Sequence, residues 1–173
     1  LERYICDWSN FNKIKNYDKK TLINLYKINP RDSFFLFDDP KLDLQIARCF
    51  CNDNFKIKTK KLKLNRKSKI RIGYFSADFG YHPVAILISK VLELHNRDEF
   101  EIFAYSFGSS QNDFYTKKIR SVVDHFREVN ELSDEDLVKT VRKDDIDLAV
   151  DLMGHTEYSR TSVFSLRVAP VQI

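Results

Sequence analysis

Ile70-Arg71-Ile72-Gly73-Tyr74-Phe75-Ser76-Ala77-Asp78-Phe79-Gly80-Tyr81-His82-Pro83 decides the reading of this chain. Its first half, Ile70 to Phe75, has the apolar pattern of a buried strand. Beyond Pro83, Val84 to Leu94 has the pattern of an apolar helix. Pro83 suits a first helical turn, where its missing N–H costs nothing. A strand that feeds a helix through a short loop places that loop at the carboxyl end of a parallel sheet, the edge where α/β proteins bind ligands. Asp78 and His82 then lie at the start of a helix whose free N–H groups favour an anion. An acid, a glycine (Gly80) and a histidine in that place point to a nucleotide or sugar-phosphate site. The competing reading is structural: His82 as a helix cap, and Asp78 as an acceptor for loop N–H groups.

A second unit repeats the arrangement. Ile146 to Leu152 reads as a buried strand running into Met153-Gly154-His155-Thr156, then into a helix over about 157–166. If both strands are parallel members of one sheet, both loops open on one edge and His82 and His155 converge on one crevice. Gly154 would let a backbone or ligand approach closely, and His155 and Thr156 would reach donor or acceptor. The structural alternative for these three is a tight strand-to-helix turn with Thr156 as its N-cap.

Between and around these units, strand and helix patterns alternate. The expected strands are 69–76, 100–106, 126–129, 146–152 and a beginning at 170–173; the expected helices are 83–95, 112–122, 134–143 and 157–166. Ser133 with Asp136 three residues on reads as a capping box. Glu101 to Tyr105 alternates, as in a strand with one less buried face. The class is α/β, a Rossmann-like parallel sheet covered by helices. No G-x-G-x-x-G fingerprint occurs, which disfavours a dinucleotide enzyme.

Residues 1–55 differ and read as an all-helical appendage. Ile14, Leu22, Ile23, Leu25 and Tyr26 predict one helix ending at Asn29-Pro30. Asp38-Asp39-Pro40 predicts the start of a second. Ser33 to Phe37 between them is strongly apolar and is expected to be buried. Residues 56–68 read as a basic linker, and 69–173 as the Rossmann-like half.

Composition sets outer limits. The chain has 173 residues, 43% hydrophobic and 13% aromatic, enough for a domain with a sizeable core. No apolar run approaches the roughly 20 residues that cross a bilayer. The net charge of +4 is concentrated in Lys56 to Lys69, and the absence of interleaved aromatics there argues for a solvated linker over a nucleic-acid surface. Cys6, Cys49 and Cys51 lack disulfide or zinc spacing, so reduced thiols and a cytoplasmic protein without a metal site are expected. Leu1 is not a natural start, and Ala169 to Ile173 reads as the beginning of a strand, so a longer protein is expected.

These residues carry a resemblance. Arg71 to Pro83 resembles the "RIGYVSSDFGNHP" motif of the O-GlcNAc transferase and Spindly family, glycosyltransferase family 41. Asp151 to Thr156, with Arg160, Phe164, Arg167 and Ala169-Pro170-Val171-Gln172, resembles that family's "DLxGHT…R…F…RxAPVQ" motif. Cys6-Asp7-Trp8 resembles its element just after the tetratricopeptide helices. His155 matches the bacterial and Spindly-like pattern, whereas animal O-GlcNAc transferases have tyrosine there. The resemblance implies a GT-B enzyme, of which this is the N-terminal half of the catalytic region.

It further implies inverting, metal-independent transfer without a cofactor, from a UDP-sugar to a protein or peptide acceptor at Ser/Thr. His82 and Asp78 would be catalytic, and Gly80, Gly154, His155 and Thr156 would bind donor or acceptor. The chain alone would be inactive, and replacing His82 is expected to change folding little. The alternatives are a non-catalytic interaction module and an N-glycosyltransferase moving a hexose to Asn. Arg160 and Arg167 are candidate phosphate ligands, though ion pairs are the simpler expectation; His95 and His125 match no motif.

Overall fold

A computed structural model of the chain describes residues 9, 29–36, 39–55, 62–65, 68–108 and 113–173. The chain divides into two compact units, Leu1–Phe55 and Lys56–Ile173. The helix expected over Ile14 to Tyr26, the Cys6-Asp7-Trp8 element and most of the basic run lie outside the described residues.

In the first unit, α1 spans Pro30–Leu36 and α2 spans Pro40–Asn54. The apolar stretch expected to be buried is thus largely helix α1. Ser33 is buried, but Phe34 is 69% exposed. A helix points only one stripe inward, so consecutive apolar residues cannot all be covered by one neighbour. Pro30 opens α1 instead of only closing what precedes it. Asp39 caps α2 as expected, accepting from the N–H of Lys41 at 3.1 Å and of Leu42 at 3.2 Å. Leu42 and Ile46, one helical turn apart, form its buried stripe.

The second unit contains β1 (Ile70–Ser76), α3 (Pro83–Leu94), β2 (Phe100–Ser106), α4 (Phe114–Val122), β3 (His125–Glu128), α5 (Asp134–Lys143), β4 (Leu148–Asp151), α6 (Thr161–Ser165) and β5 (Val171–Gln172). The strands form one sheet in the order β3-β2-β1-β4-β5, with every pairing parallel. β1 is the centre: Ile72 lies beside Ile102 of β2 and Leu148 of β4. Because residues alternate across a strand, Ile72 and Tyr74 face the α3/α4 side, with Ala85, Leu92, Ile102, Ala104 and Ile119. Phe75 faces the other side with Phe103, Tyr105, Leu137, Val141 and Val163, under α5 and α6.

β2 corrects one expectation. Ile102, Phe103, Ala104 and Tyr105 are all buried. The strand sits between β1 and β3 with helices on both faces, so the alternation seen in sequence does not mark an exposed side. Tyr105 is tolerated there because its hydroxyl donates to Asp144 Oδ2 at 2.8 Å. Burial and the Asp144 carboxylate push that phenol far above its usual range, so it stays a neutral donor.

Ser133 caps α5 through the Asp136 N–H at 3.2 Å. Its hydroxyl in turn donates to Asp136 Oδ2 at 2.7 Å. The return contact of the capping box is therefore to the hydroxyl. Among the described residues no helix is long and apolar enough to cross a membrane.

Candidate active site

The loop after β1 is anchored at its middle. Phe79 is 1% exposed and belongs to the α3/α4 core, so Asp78 and Gly80 are fixed on either side of a buried ring. At the loop's start, the Asp78 N–H donates to Ser76 Oγ at 2.9 Å. At its end, His82 is the N-cap of α3: its Nδ1 accepts from the Val84 N–H at 3.2 Å, and its own N–H donates to the Gly80 carbonyl at 2.7 Å. Asp78 Oδ2 stands 3.5 Å from the same Nδ1. A nitrogen that accepts an N–H carries no proton, so in the neutral ring the proton is on Nε2. The capping histidine foreseen as the structural alternative is therefore present. The cap holds the ring by Nδ1 and leaves Nε2–H as a donor.

The loop after β4 is tied to its own strand. Asp151 Oδ1 accepts from the Met153 N–H at 2.9 Å. The Met153 carbonyl accepts from the Thr156 N–H at 3.2 Å and hydroxyl at 2.9 Å. Thr156 thus closes a turn and is not the helix cap considered above; α6 begins only at Thr161, with Arg160 in the cap position. Gly154 has φ +56°, and a Cβ on it would meet nothing within 4 Å. It is needed for its left-handed backbone, and it faces open space.

Burial pushes the His155 imidazole below its usual value, with Asp151 pulling the other way. Burial pushes the Asp151 carboxyl up, opposed by the N–H groups of Met153 and Gly154. His155 is accordingly a neutral imidazole at pH 7.

The two loops meet. Their strands are parallel neighbours, so both open on the same sheet edge. The Leu152 N–H donates to the Phe75 carbonyl at 3.1 Å. The Ser76 hydroxyl and the Ala77 N–H both donate to Met153 Sδ at 3.4 Å. The chain leaving β2 supports the same loop: Phe107 N–H donates to the Ser76 carbonyl at 3.1 Å. At Gly108 a Cβ would fall 2.0 Å from the Ala77 carbonyl oxygen, so no other residue fits without movement.

Sequence reasoning missed Met153, Ser76 and Gly108. Nothing in its motif singles out Met153; only the strand order brings its sulfur to Ser76. Gly108, directly after an apolar strand, carried a signal that a close approach was needed.

The arginines do structural work. Arg160 pairs with Asp134 at 2.5 Å and donates to the carbonyls of Val129 at 3.0 Å and Leu132 at 2.8 Å. Arg167 donates to the Pro170 carbonyl at 2.6 Å. His95 closes α3 through Val91 and Tyr74, and His125 stacks on Phe103 while pairing with Glu101. A polar cleft of about 710 Å³, lined by residues including Arg71, Glu101 and His125, lies where the strands begin. Within it Glu101 pairs with both Arg71 and His125, and it is at the opposite end of the sheet from the two loops.

At the carboxyl edge, then, one loop offers an imidazole N–H at the start of a helix with a carboxylate beside it. The other offers a neutral imidazole and an open glycine. Such a set can hold an anionic oxygen and shift a proton at a neighbouring hydroxyl.

Residues 40–173 match the family described as glycosyl transferase family 41. The chain is 34% identical over 105 residues to the probable UDP-N-acetylglucosamine–peptide N-acetylglucosaminyltransferase SEC of Arabidopsis thaliana, covering 61% of this chain and 11% of that protein. It is 25% identical over 188 residues to the corresponding transferase of Caenorhabditis elegans, covering 98% of this chain and 16% of that one. A solved mutant O-GlcNAc transferase of Thermobaculum terrenum superposes with a TM-score of 0.70 at 28% identity, covering 91% of this chain and 30% of that chain. The chain thus spans a minor part of the proteins it resembles.

Proposed function

The chain belongs to glycosyl transferase family 41, and on that premise we propose that the whole protein transfers N-acetylglucosamine, or a related sugar, from a UDP-sugar to Ser/Thr of a protein acceptor with inversion. The observation that supports this reading is the junction of the two motif loops through Met153 at one sheet edge, with His82 capping α3 there. The parallel sheet matches that of a GT-B O-GlcNAc transferase.

In this reading His82 and Asp78 are the catalytic pair. The tautomer selected by the Val84 cap presents Nε2–H, which stabilises charge on the departing diphosphate. To take a proton from the acceptor, Nε2 must be bare, and the ring proton must move to Nδ1. Asp78 Oδ2, 3.5 Å away, is the group placed to receive that N–H. Asp78 therefore governs whether His82 donates or accepts. Gly80, Gly154, His155 and Thr156 form the walls that contact donor or acceptor: the first two through backbone, His155 as a neutral hydrogen-bonding ring, and Thr156 through its hydroxyl oxygen. The reaction as proposed needs no metal or cofactor.

A GT-B site forms between two facing halves, so this chain alone is expected to give no UDP release above background. The test uses the full-length protein with UDP-GlcNAc or UDP-glucose and peptides bearing Ser/Thr or Asn acceptors, read by mass spectrometry. Sugar on Ser/Thr supports the proposal. Hexose on Asn would replace it with N-glycosyl transfer, and no transfer from either donor would reduce the protein to an interaction module. His82→Asn, which keeps a cap acceptor but lacks an imidazole, is expected to lower kcat by about ten- to ten-thousandfold.

A further inference from the structure

We propose that Met153 is a positioning residue for His82, acting through a relay of hydrogen bonds that starts at its thioether sulfur. The sulfur accepts from the Ser76 hydroxyl and the Ala77 N–H, both at 3.4 Å. The same Ser76 oxygen accepts from the Asp78 N–H at 2.9 Å. A hydroxyl has one proton and can turn it either way. Met153 fixes that proton toward β4 and so leaves the oxygen's lone pairs toward Asp78. Asp78 is in turn held with its carboxylate 3.5 Å from His82 Nδ1. The chain of contacts runs from the second loop's sulfur to the first loop's imidazole.

Met153 is suited to this by its other contacts. Its side chain is buried, its N–H is held by Asp151, and its carbonyl closes the turn that carries His155 and Thr156. One residue therefore fixes both loops relative to each other. Thioether sulfur is a weak acceptor, but Ser76 is fully buried and its hydroxyl has no solvent to turn to. Among the described residues Met153 Sδ is the acceptor recorded for it.

The role in transfer rests on the glycosyltransferase reading; the positioning of His82 does not, and the test separates them. Met153→Leu keeps the volume and removes the acceptor. Met153→Gln restores one, since an amide oxygen reaches further than sulfur and accepts at about 2.8 Å. Ser76→Ala removes the donor and leaves Met153 intact. Long-range ¹⁵N–¹H spectra of the histidine rings in the chain read the His82 tautomer directly. The wild type and Met153→Gln are expected to show neutral His82 mainly protonated at Nε2 with a minor Nδ1-protonated population sustained by Asp78, and Met153→Leu and Ser76→Ala, with Asp78 released, to lose that minor population and show Nε2–H alone.

If Met153→Leu and Ser76→Ala both keep the wild-type tautomer mixture, the proposal is overturned. In the full-length enzyme, Met153→Leu is expected to lower kcat about ten- to a hundredfold, with KM for the UDP-sugar within about twofold. If Met153→Leu and Ser76→Ala change the His82 tautomer mixture but the full-length wild type transfers no sugar, the function falls and the positioning stands.

Discussion

His82 Nδ1 accepts the Val84 N–H at 3.2 Å, while Asp78 Oδ2 stands 3.5 Å from the same nitrogen. One ring nitrogen cannot serve both partners in the same tautomer. With the lone pair on Nδ1 the helix is capped; with a proton there the carboxylate is satisfied. The residue that begins α3 is thereby also the residue whose protonation the site must control.

That double role sets a first prediction on stability. The sequence alone led to the expectation that replacing His82 leaves folding almost unchanged. The cap revises it: His82→Ala should destabilise the chain by about 1 kcal/mol in urea unfolding, as loss of an N-cap does. His82→Asn, whose side-chain oxygen can accept the same N–H, should stay within about 0.3 kcal/mol of wild type. Equal stability of all three proteins would show that the cap contributes nothing.

Tyr74 and His95 give a second prediction. The His95 Nδ1 lies 2.6 Å from the Val91 carbonyl, which can only accept, so Nδ1 carries a proton. In the neutral ring Nε2 then accepts from the Tyr74 hydroxyl at 2.9 Å. Tyr74 is buried, so His95→Ala strands its hydroxyl and should cost about 1–3 kcal/mol. Tyr74→Phe removes the donor without stranding a core group and should cost less. The double variant should be close to His95→Ala with Tyr74→Phe restoring part of the loss, which calorimetric melting of the four proteins measures.

The sequence made the middle of the fold readable for a physical reason. Strands buried on both faces and helices opened by Pro83 and Pro40 leave local marks, and β1, α3, α2 and the order of elements follow from them. His82 and His155 could be placed on one edge once their strands were taken as parallel. What stayed hidden depends on contacts between distant segments. The Met153 sulfur on Ser76 has no local signature, and the glycine at 108 marks a close approach without saying that Ala77 is the backbone it meets. Phe34 was misjudged because apolar character was read as burial without a helical phase, and β2 because its alternation gives no information on what covers each face.

The Asp151–His155 pair yields a pH prediction. Burial raises the Asp151 carboxyl. A raised folded value means its favourable contribution is complete below the unfolded carboxyl range, near pH 3.9, and is lost as pH rises through the folded value. His155 is depressed, so its contribution is present above about pH 6.5 and lost as pH falls through its lower folded value. Asp151 charge raises His155 against the larger effect of burial. Asp151→Asn should therefore move His155 titration to lower pH in ring proton spectra, and the variant's stability relative to wild type should improve as pH rises from about 4 to 7. A His155 titration that moves upward would contradict the electrostatic account.

Two glycines at the site should behave in opposite ways, because one is required by space and the other by backbone angle. A Cβ at Gly108 would sit 2.0 Å from the Ala77 carbonyl oxygen, which is backbone and cannot swing aside. Gly108→Ala must therefore displace the β1 loop or its own strand end, and should destabilise the chain by about 1–3 kcal/mol. At Gly154 the built Cβ meets nothing, and only its φ of +56° resists substitution. Gly154→Ala should cost about 1 kcal/mol, the penalty of an L-residue in the left-handed region. The added methyl, however, enters the open space beside His155 that the proposed donor or acceptor would occupy. In the full-length enzyme Gly154→Ala should therefore raise KM with the fold intact, whereas Gly108→Ala should lower kcat through the displaced loop. Urea midpoints on the chain, combined with kcat and KM on the whole protein, distinguish the two. A Gly154→Ala enzyme with wild-type KM for both substrates would place the ligand elsewhere on the sheet edge.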